Sequence, residues 1–189
     1  MPDTAQVEAP SATLHVMLVG SREEDFFLIR GILDRNRAAL PAKLDHAHSV
    51  QEARAKLQES SYNLILFEHE TKDAAATELL SEFLKLGRTI PFIVLTEGAD
   101  EKSVANIIQA GAWDCLEKSQ LSGANLLRTI RCTMNLYSTQ QKRQLAEDSL
   151  RKLSCAVEQS GDAITITSSD GVIEYVNPAF VSVTGYTQA

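Results

Sequence analysis

Five short apolar runs, each followed by an amphipathic stretch, constrain the fold of this chain more than any other feature. The runs are LHVMLV (14–19), AKLDHAH (42–48, the weakest), YNLILF (62–67), PFIVLT (91–96) and WDCLE (113–117). Between them, EDFFLIRGIL keeps Phe26, Ile29 and Leu33 at helical spacing, and VQEARAKLQES places Val50, Ala53 and Leu57 on one face. TELLSEFLKL and EKSVANIIQAG read as two further helices. Apolar strands joined by helices through short connections predict a parallel sheet covered on both faces. Right-handed crossovers then favour a doubly wound, flavodoxin-like order. The expected class is α/β, a doubly wound five-stranded parallel sheet.

From about Ala124 the pattern changes. NLLRTIRCTMNLYSTQQKRQLAEDSLRKLSCAVEQ contains neither Gly nor Pro, which predicts a long C-terminal helix over 124–158 with coiled-coil-like character. Ile130, Met134 and Tyr137 keep a 4-then-3 spacing, and Ala146, Leu150, Leu153 and Val157 resume it. The two seams are out of register near Gln141–Leu145, which reads as a place where the helix changes register. Met134, Tyr137, Leu150, Leu153 and Val157 are the expected seam of a parallel homodimer, since a helix with that face exposed is marginal alone. DAITIT, SSDG and VIEYVN then read as a hairpin turning at Asp170-Gly171, with Pro178 just inside a following helix. Two strands and one short helix make no independent core, so this segment is expected to be the least stable.

Composition excludes several classes. A net charge of -7 over 189 residues argues against nucleic acid, whose binders carry basic stripes. Cys115, Cys132 and Cys155 fit no metal or redox spacing, so a reducing, cytoplasmic setting is expected. The Ala-, Pro-, Ser- and Thr-rich residues 1–12 read as a disordered lead without the basic start or apolar core of a signal peptide. No apolar run is long enough to span a bilayer, so no direct membrane contact is expected.

Chemistry is expected where LILFEHE (64–70) carries an apolar strand into Glu68 and Glu70, because open α/β sheets act at the C-terminal ends of their strands. Here the chain resembles the receiver domain of bacterial response regulators over residues 13 to about 135. YNLILFE stands where that family places its phosphoacceptor Asp, PFIVLTE ends in the switch position Thr96, and AGAWDCLEK carries the family's Lys as Lys118. AVEQSGDAI, DGVIEYVNPAF and TGY resemble the start of a PAS domain, a truncated α+β segment over 159–189. Together these imply receiver-like residues 13–123, the linker helix 124–158 and PAS, as at the front of a multidomain sensor.

The departures from that pattern carry the functional reading. The acidic residues that hold Mg2+ in receivers are replaced by Gly20 and Ser21, with Arg22 next. Ser21 and Glu24 instead read as a capping box. Glu68 occupies the phosphoacceptor position, where an added methylene misplaces the attacking oxygen. It is expected to push a negative oxygen outward, as a phosphoryl group would, and to pair with Lys118 in a partly exposed salt bridge between neighbouring strands. The alternative is a solvated strand-end carboxylate. Cys115 stands at the aromatic switch position, Lys72 and Ala76 replace the usual Pro and Gly, and Ser119 replaces Pro. With these losses Thr96 reads as a strand terminus only. His46 and His48, even with His69, lack the spacing of a metal site.

The expected function is therefore a degenerate receiver that takes up no phosphate, binds no Mg2+ or other cofactor, and has no catalytic or metal-binding residues. It relays conformational state through a dimeric helix to PAS and a downstream output domain of the same chain. The alternative is an active phosphoacceptor using Asp25 or Asp73, in a hybrid sensor kinase or a diguanylate cyclase. A flavodoxin-like nucleotide binder lacks a Gly-rich loop after the first strand.

Overall fold

A computed structural model describes residues 13–69, 90–98 and 101–186. The N-terminal lead, the TELLSEFLKL helix, and Lys72, Asp73 and Ala76 lie outside them. The first of two compact units runs to Tyr137 and the second from Ser138. In the first, strands β1 (Leu14–Val19), β2 (Ala42–Ala47), β3 (Leu64–His69), β4 (Phe92–Thr96) and β5 (Asp114–Glu117) form one sheet. All neighbours are parallel, in the order β2-β1-β3-β4-β5. This is the expected doubly wound, flavodoxin-like arrangement. Its order reverses between β1 and β3, and the crevice beyond their C-terminal ends is where such sheets place a site.

Strand alternation decides which helix each residue meets. Val16 and Leu18 of β1 and Leu64 and Leu66 of β3 pack with Ile29, Ile32 and Leu33 of α1 (Glu23–Arg35). Leu126, Leu127 and Ile130 of α4 (Gly123–Glu158) complete that layer. Met17, Val19, Ile65 and Phe67 face the other way, onto Ala53 and Leu57 of α2 (Val50–Glu59) and Ile107 of α3 (Glu101–Gln109). Each fully buried Leu, Ile or Phe contributes roughly 1.5–3 kcal/mol relative to exposure. A one-residue slip of β3 would exchange the two layers, so the register is strongly specified.

Helix starts correct one expectation. The Ser21–Glu24 capping box does not form: α1 starts at Glu23 behind Arg22, with no side-chain cap. Its first turn carries Glu23, Glu24 and Asp25, which suit the positive end of the helix dipole. The same S-x-x-E signature is used at α2 instead. There the Glu52 N–H donates to Ser49 Oγ at 3.2 Å, and Glu52 Oε2 accepts from the His48 N–H at 2.8 Å.

Helix α4 is continuous from Gly123 to Glu158, without an interruption at Gln141–Leu145. The two seams are two faces of it. Ile130 is buried, Met134 packs on the core, and Tyr137 meets Trp113 edge-on at 5.5 Å. On an ideal helix, at roughly 100° per residue, Leu150 stands about 140° from Tyr137 and about 160° from Met134, and Leu153 stands about 160° and about 100° from them. The apparent loss of register is therefore a change of face. Met134 and Tyr137 belong to the first unit's packing and leave the expected dimer seam.

In the second unit, β6 (Thr165–Thr167) and β7 (Ile173–Val176) form the antiparallel hairpin, followed by α5 (Pro178–Thr184). Gly171 takes φ +84° in the turn, and its N–H donates to the Ser168 carbonyl at 3.0 Å. Ile166, Val172 and Ile173 remain exposed, so apolar burial contributes little here. Asn177 is fully buried and ties the unit together. Its Oδ1 accepts from the Ile164 and Phe180 N–H groups (2.8 and 3.0 Å), while Nδ2 donates to the carbonyls of Asp162 and Val157 (2.9 and 3.1 Å).

Candidate functional site

Glu68 follows Leu64 and Leu66 on the alternation of β3, so its side chain enters the side covered by α1. This corrects the outward carboxylate: the side chain is 5% exposed and turns back over Gly20. A Cβ built on Gly20 would stand 2.0 Å from Glu68 Oε2, 2.3 Å from Cδ and 2.6 Å from Cγ. The added methylene at 68 thus fills the space that a side chain at 20 would need. Two departures from the receiver pattern are one steric event, at the point where the strand order reverses. Ser21 beside them is exposed.

Lys118 enters from the 3-10 turn Lys118–Gln120 that follows β5. Its Nζ donates to Asp25 Oδ2 at 2.5 Å and lies 3.6 Å from Glu97 Oε1 and 3.7 Å from Glu68 Oε1. Glu68 and Lys118 are within ion-pair reach, as expected, with side chains 5% and 12% exposed, but β4 lies between their strands. Asp25, on the first turn of α1, is the nearer partner. Arg22 Nη1 meets Glu97 Oε1 at 2.5 Å. Three carboxyl groups and two cations share the cluster, and one oxygen, Glu68 Oε1, is buried without a hydrogen-bond partner.

Protonation follows from that crowding. Burial pushes the Glu68 carboxyl up to about 7; the Lys118 charge opposes this, while the hydrogen bond and negative charge of Asp25 reinforce it. Burial also raises Asp25, but hydrogen bonds from Lys118 and Glu68 and the Lys118 charge outweigh it and hold Asp25 below the ordinary range. With a proton on Glu68, two carboxylates balance two cations.

A receiver fold implies Mg2+, which takes near-octahedral oxygen ligands. These residues do not fit it. Gly20 offers no side-chain oxygen, the three carboxyl groups converge on the Lys118 ammonium, and Arg22 brings a second cation to Glu97. Among the described residues no cluster of His, Cys, Asp and Glu could hold a metal ion. His46 is committed elsewhere, with Nε2 2.8 Å from the Gly20 carbonyl and its ring stacked on Phe26 at 4.7 Å.

Thr96 and Cys115 contact each other. Thr96 alternates with Phe92 and Val94, which face α2 and α3, and is buried with Oγ1 3.7 Å from Cys115 Sγ. Burial pushes the Cys115 thiol up, so it remains protonated. Alternation along β3 and β4 was the signal that separated Glu68 from Thr96. Asp25 had no comparable signal, because a helix's first turn acquires its neighbours only on docking.

The Gly20–Glu68 interlock has a measurable consequence. Gly20 has no positive φ to favour glycine, so Gly20→Ala is expected to destabilise through contact alone, by about 1–3 kcal/mol. Adding Glu68→Ala removes the opposing atoms and should recover most of that cost in a double-mutant cycle. A penalty unchanged in the Glu68→Ala background would place its origin in the backbone.

A flavodoxin-like sheet with carboxylates and a lysine gathered at its switch point defines a receiver-type α/β module. The response regulator receiver domain family matches residues 16–131, and the chain belongs to that family. It is 32% identical over 98 residues to hybrid signal transduction histidine kinase L of Dictyostelium discoideum, covering 51% of this chain and 6% of that protein. It is 25% identical over 142 residues to the high affinity cAMP-specific and IBMX-insensitive 3',5'-cyclic phosphodiesterase 8A of Mus musculus, covering 72% of this chain and 17% of that protein. The chain thus spans a small part of these relatives' lengths. Among solved structures, a response regulator from Thermotoga maritima superposes with a TM-score of 0.59 at 19% identity, over 66% of this chain and 99% of the other. NtrX from Brucella abortus gives 0.62 at 17%, over 82% of this chain and 36% of the other. At these identities the structures share the fold.

Proposed function

We propose that this chain is a degenerate receiver: a cytoplasmic, non-enzymatic signalling module that does not accept phosphate. It passes conformational state along a dimeric α4 helix to the start of a PAS domain and to an output domain further along the same chain. One observation carries this reading. Glu68 fills the space beside Gly20 where a receiver's metal-binding carboxylate would stand, and Lys118 is held by Asp25 rather than open to an incoming phosphoryl group. A hybrid histidine kinase and a cyclic-nucleotide phosphodiesterase as relatives, each mostly outside the matched region, support a regulatory segment within a larger protein. The output domain is then a kinase, a cyclase or another effector. No helix among the described residues is long and apolar enough to cross a membrane.

The test is direct. Intact mass after incubation with acetyl phosphate and Mg2+ is expected to remain that of the unmodified chain. A stoichiometric phosphoryl adduct lost on Asp25→Asn or Asp73→Asn would establish the active-phosphoacceptor reading instead.

A further inference from the structure

The outer face of α4 keeps a single heptad frame over residues 136–157. Leu136, Leu150 and Leu153 are 61%, 67% and 65% exposed, respectively. Leu136 precedes Leu150 by two heptads, which on an ideal helix leaves them only about 40° apart. In one frame Leu136, Arg143, Leu150 and Val157 occupy a positions, and Thr139, Ala146 and Leu153 occupy d positions. Lys142 then falls at g and Glu147 at the following e. Within one chain Glu147 Oε1 accepts from Arg143 Nε at 2.7 Å, on an exposed surface.

We propose that this face binds a second copy of the chain in parallel and in register, with Lys142 of each copy meeting Glu147 of the other. The pairing covers Leu136, Leu150 and Leu153 on both copies and is self-complementary under a two-fold axis along the helix. Parallel strands of a coiled coil set each g residue against the next e residue of the other helix, so the Lys142–Glu147 attraction forms twice. Antiparallel pairing sets g against g and e against e, and loses both. Arg143, the one charged residue in the seam, keeps its guanidinium at the rim beside Glu147 and disfavours slipped registers that would carry it against Leu150. The inference rests on the dimeric relay proposed above but is read out independently of phosphate uptake.

The experiment uses the full chain. Cys132→Ser leaves Cys155, at an outer f position, as an exposed internal control. Adding Leu150→Cys places a thiol in the seam. Under mild oxidation the Leu150→Cys chain is expected to run as a disulfide-linked dimer, and the Cys132→Ser chain, in which Cys155 is the one exposed cysteine beside the half-buried Cys115, to stay monomeric on a non-reducing gel. Orientation is read from charge. Lys142→Glu is expected to weaken dimerisation roughly two- to tenfold, as is Glu147→Lys, and the double exchange to restore it. A monomer in solution at about 100 µM, equal cross-linking at both cysteines, or a double exchange no better than either single change would overturn the proposal. Phosphoryl uptake by a chain that still cross-links at position 150 would defeat only the degenerate-receiver reading.

Discussion

Glu68→Gln is expected to make the receiver unit more stable at pH 8 by about 2–3 kcal/mol and to leave its stability below pH 4.5 nearly unchanged. The sign follows from linkage. The Glu68 carboxyl has an ordinary value of 4.5 and is raised to about 7 in the fold. The folded chain therefore favours the protonated group. The associated stability is complete below pH 4.5 and is lost as pH rises through 7, when a buried carboxylate must be carried beside Asp25. A glutamine has nothing to lose over that window, and its amide can still donate to Asp25. Asp25 acts oppositely: its lowered value adds stability above the unfolded 3.8, which disappears as pH falls. That change lies below the Glu68 window.

His46 also changes charge with pH and must be separated from Glu68. Burial lowers its ordinary value of 6.5, so its contribution is present above that pH and fades as pH falls. Its slope opposes that of Glu68, and it is common to both chains. The difference between wild type and Glu68→Gln therefore isolates the carboxyl. Denaturant unfolding followed by Trp113, the single tryptophan, reads the unit directly. A pH-independent difference, or a loss of stability in Glu68→Gln at pH 8, would show that Lys118 compensates the buried charge fully.

Local periodicity made much of the fold legible. All five strands and both helix-bearing faces follow from runs such as LHVMLV and from the spacing of Ile29, Leu33, Ala53 and Leu57. The alternation of Leu64 and Leu66 along β3, continued by two residues, already turns Glu68 inward. What sequence reasoning could not supply was relative placement. Asp25 lies 93 positions before Lys118 and meets it only because α1 docks over the strand ends. Likewise, 3,4 spacing on α4 could not say that Ile130, Met134 and Tyr137 were already covered by their own unit, since periodicity shows that a face is apolar but not what covers it. The capping box failed for a similar reason. Two S-x-x-E signatures compete equally on local grounds, and the structure uses only the one at Ser49.

The largest local effect is expected at Asn177. Its buried amide satisfies two N–H groups and two carbonyls at once, in a unit with little apolar burial to substitute for them. Each buried group left unsatisfied costs roughly 1–3 kcal/mol, reduced where water can reach it. Asn177→Ala should therefore release the hairpin from the end of α4 and expose Thr165–Thr167 and Ile173–Val176 to fast amide exchange, while Trp113 reports an unchanged receiver unit. Asn177→Asp separates the contributions. It keeps an oxygen for the Ile164 and Phe180 N–H groups and remains a good cap for α5. It also sets a carboxylate oxygen against the carbonyls of Val157 and Asp162, where the amide nitrogen had donated. If the hairpin depends on those two donated bonds, Asn177→Asp loses hairpin protection almost as fully as Asn177→Ala but retains protection at the start of α5. Slow exchange over the hairpin in both variants would show instead that backbone pairing between β6 and β7 holds it unaided, against the usual weakness of an isolated two-stranded ribbon.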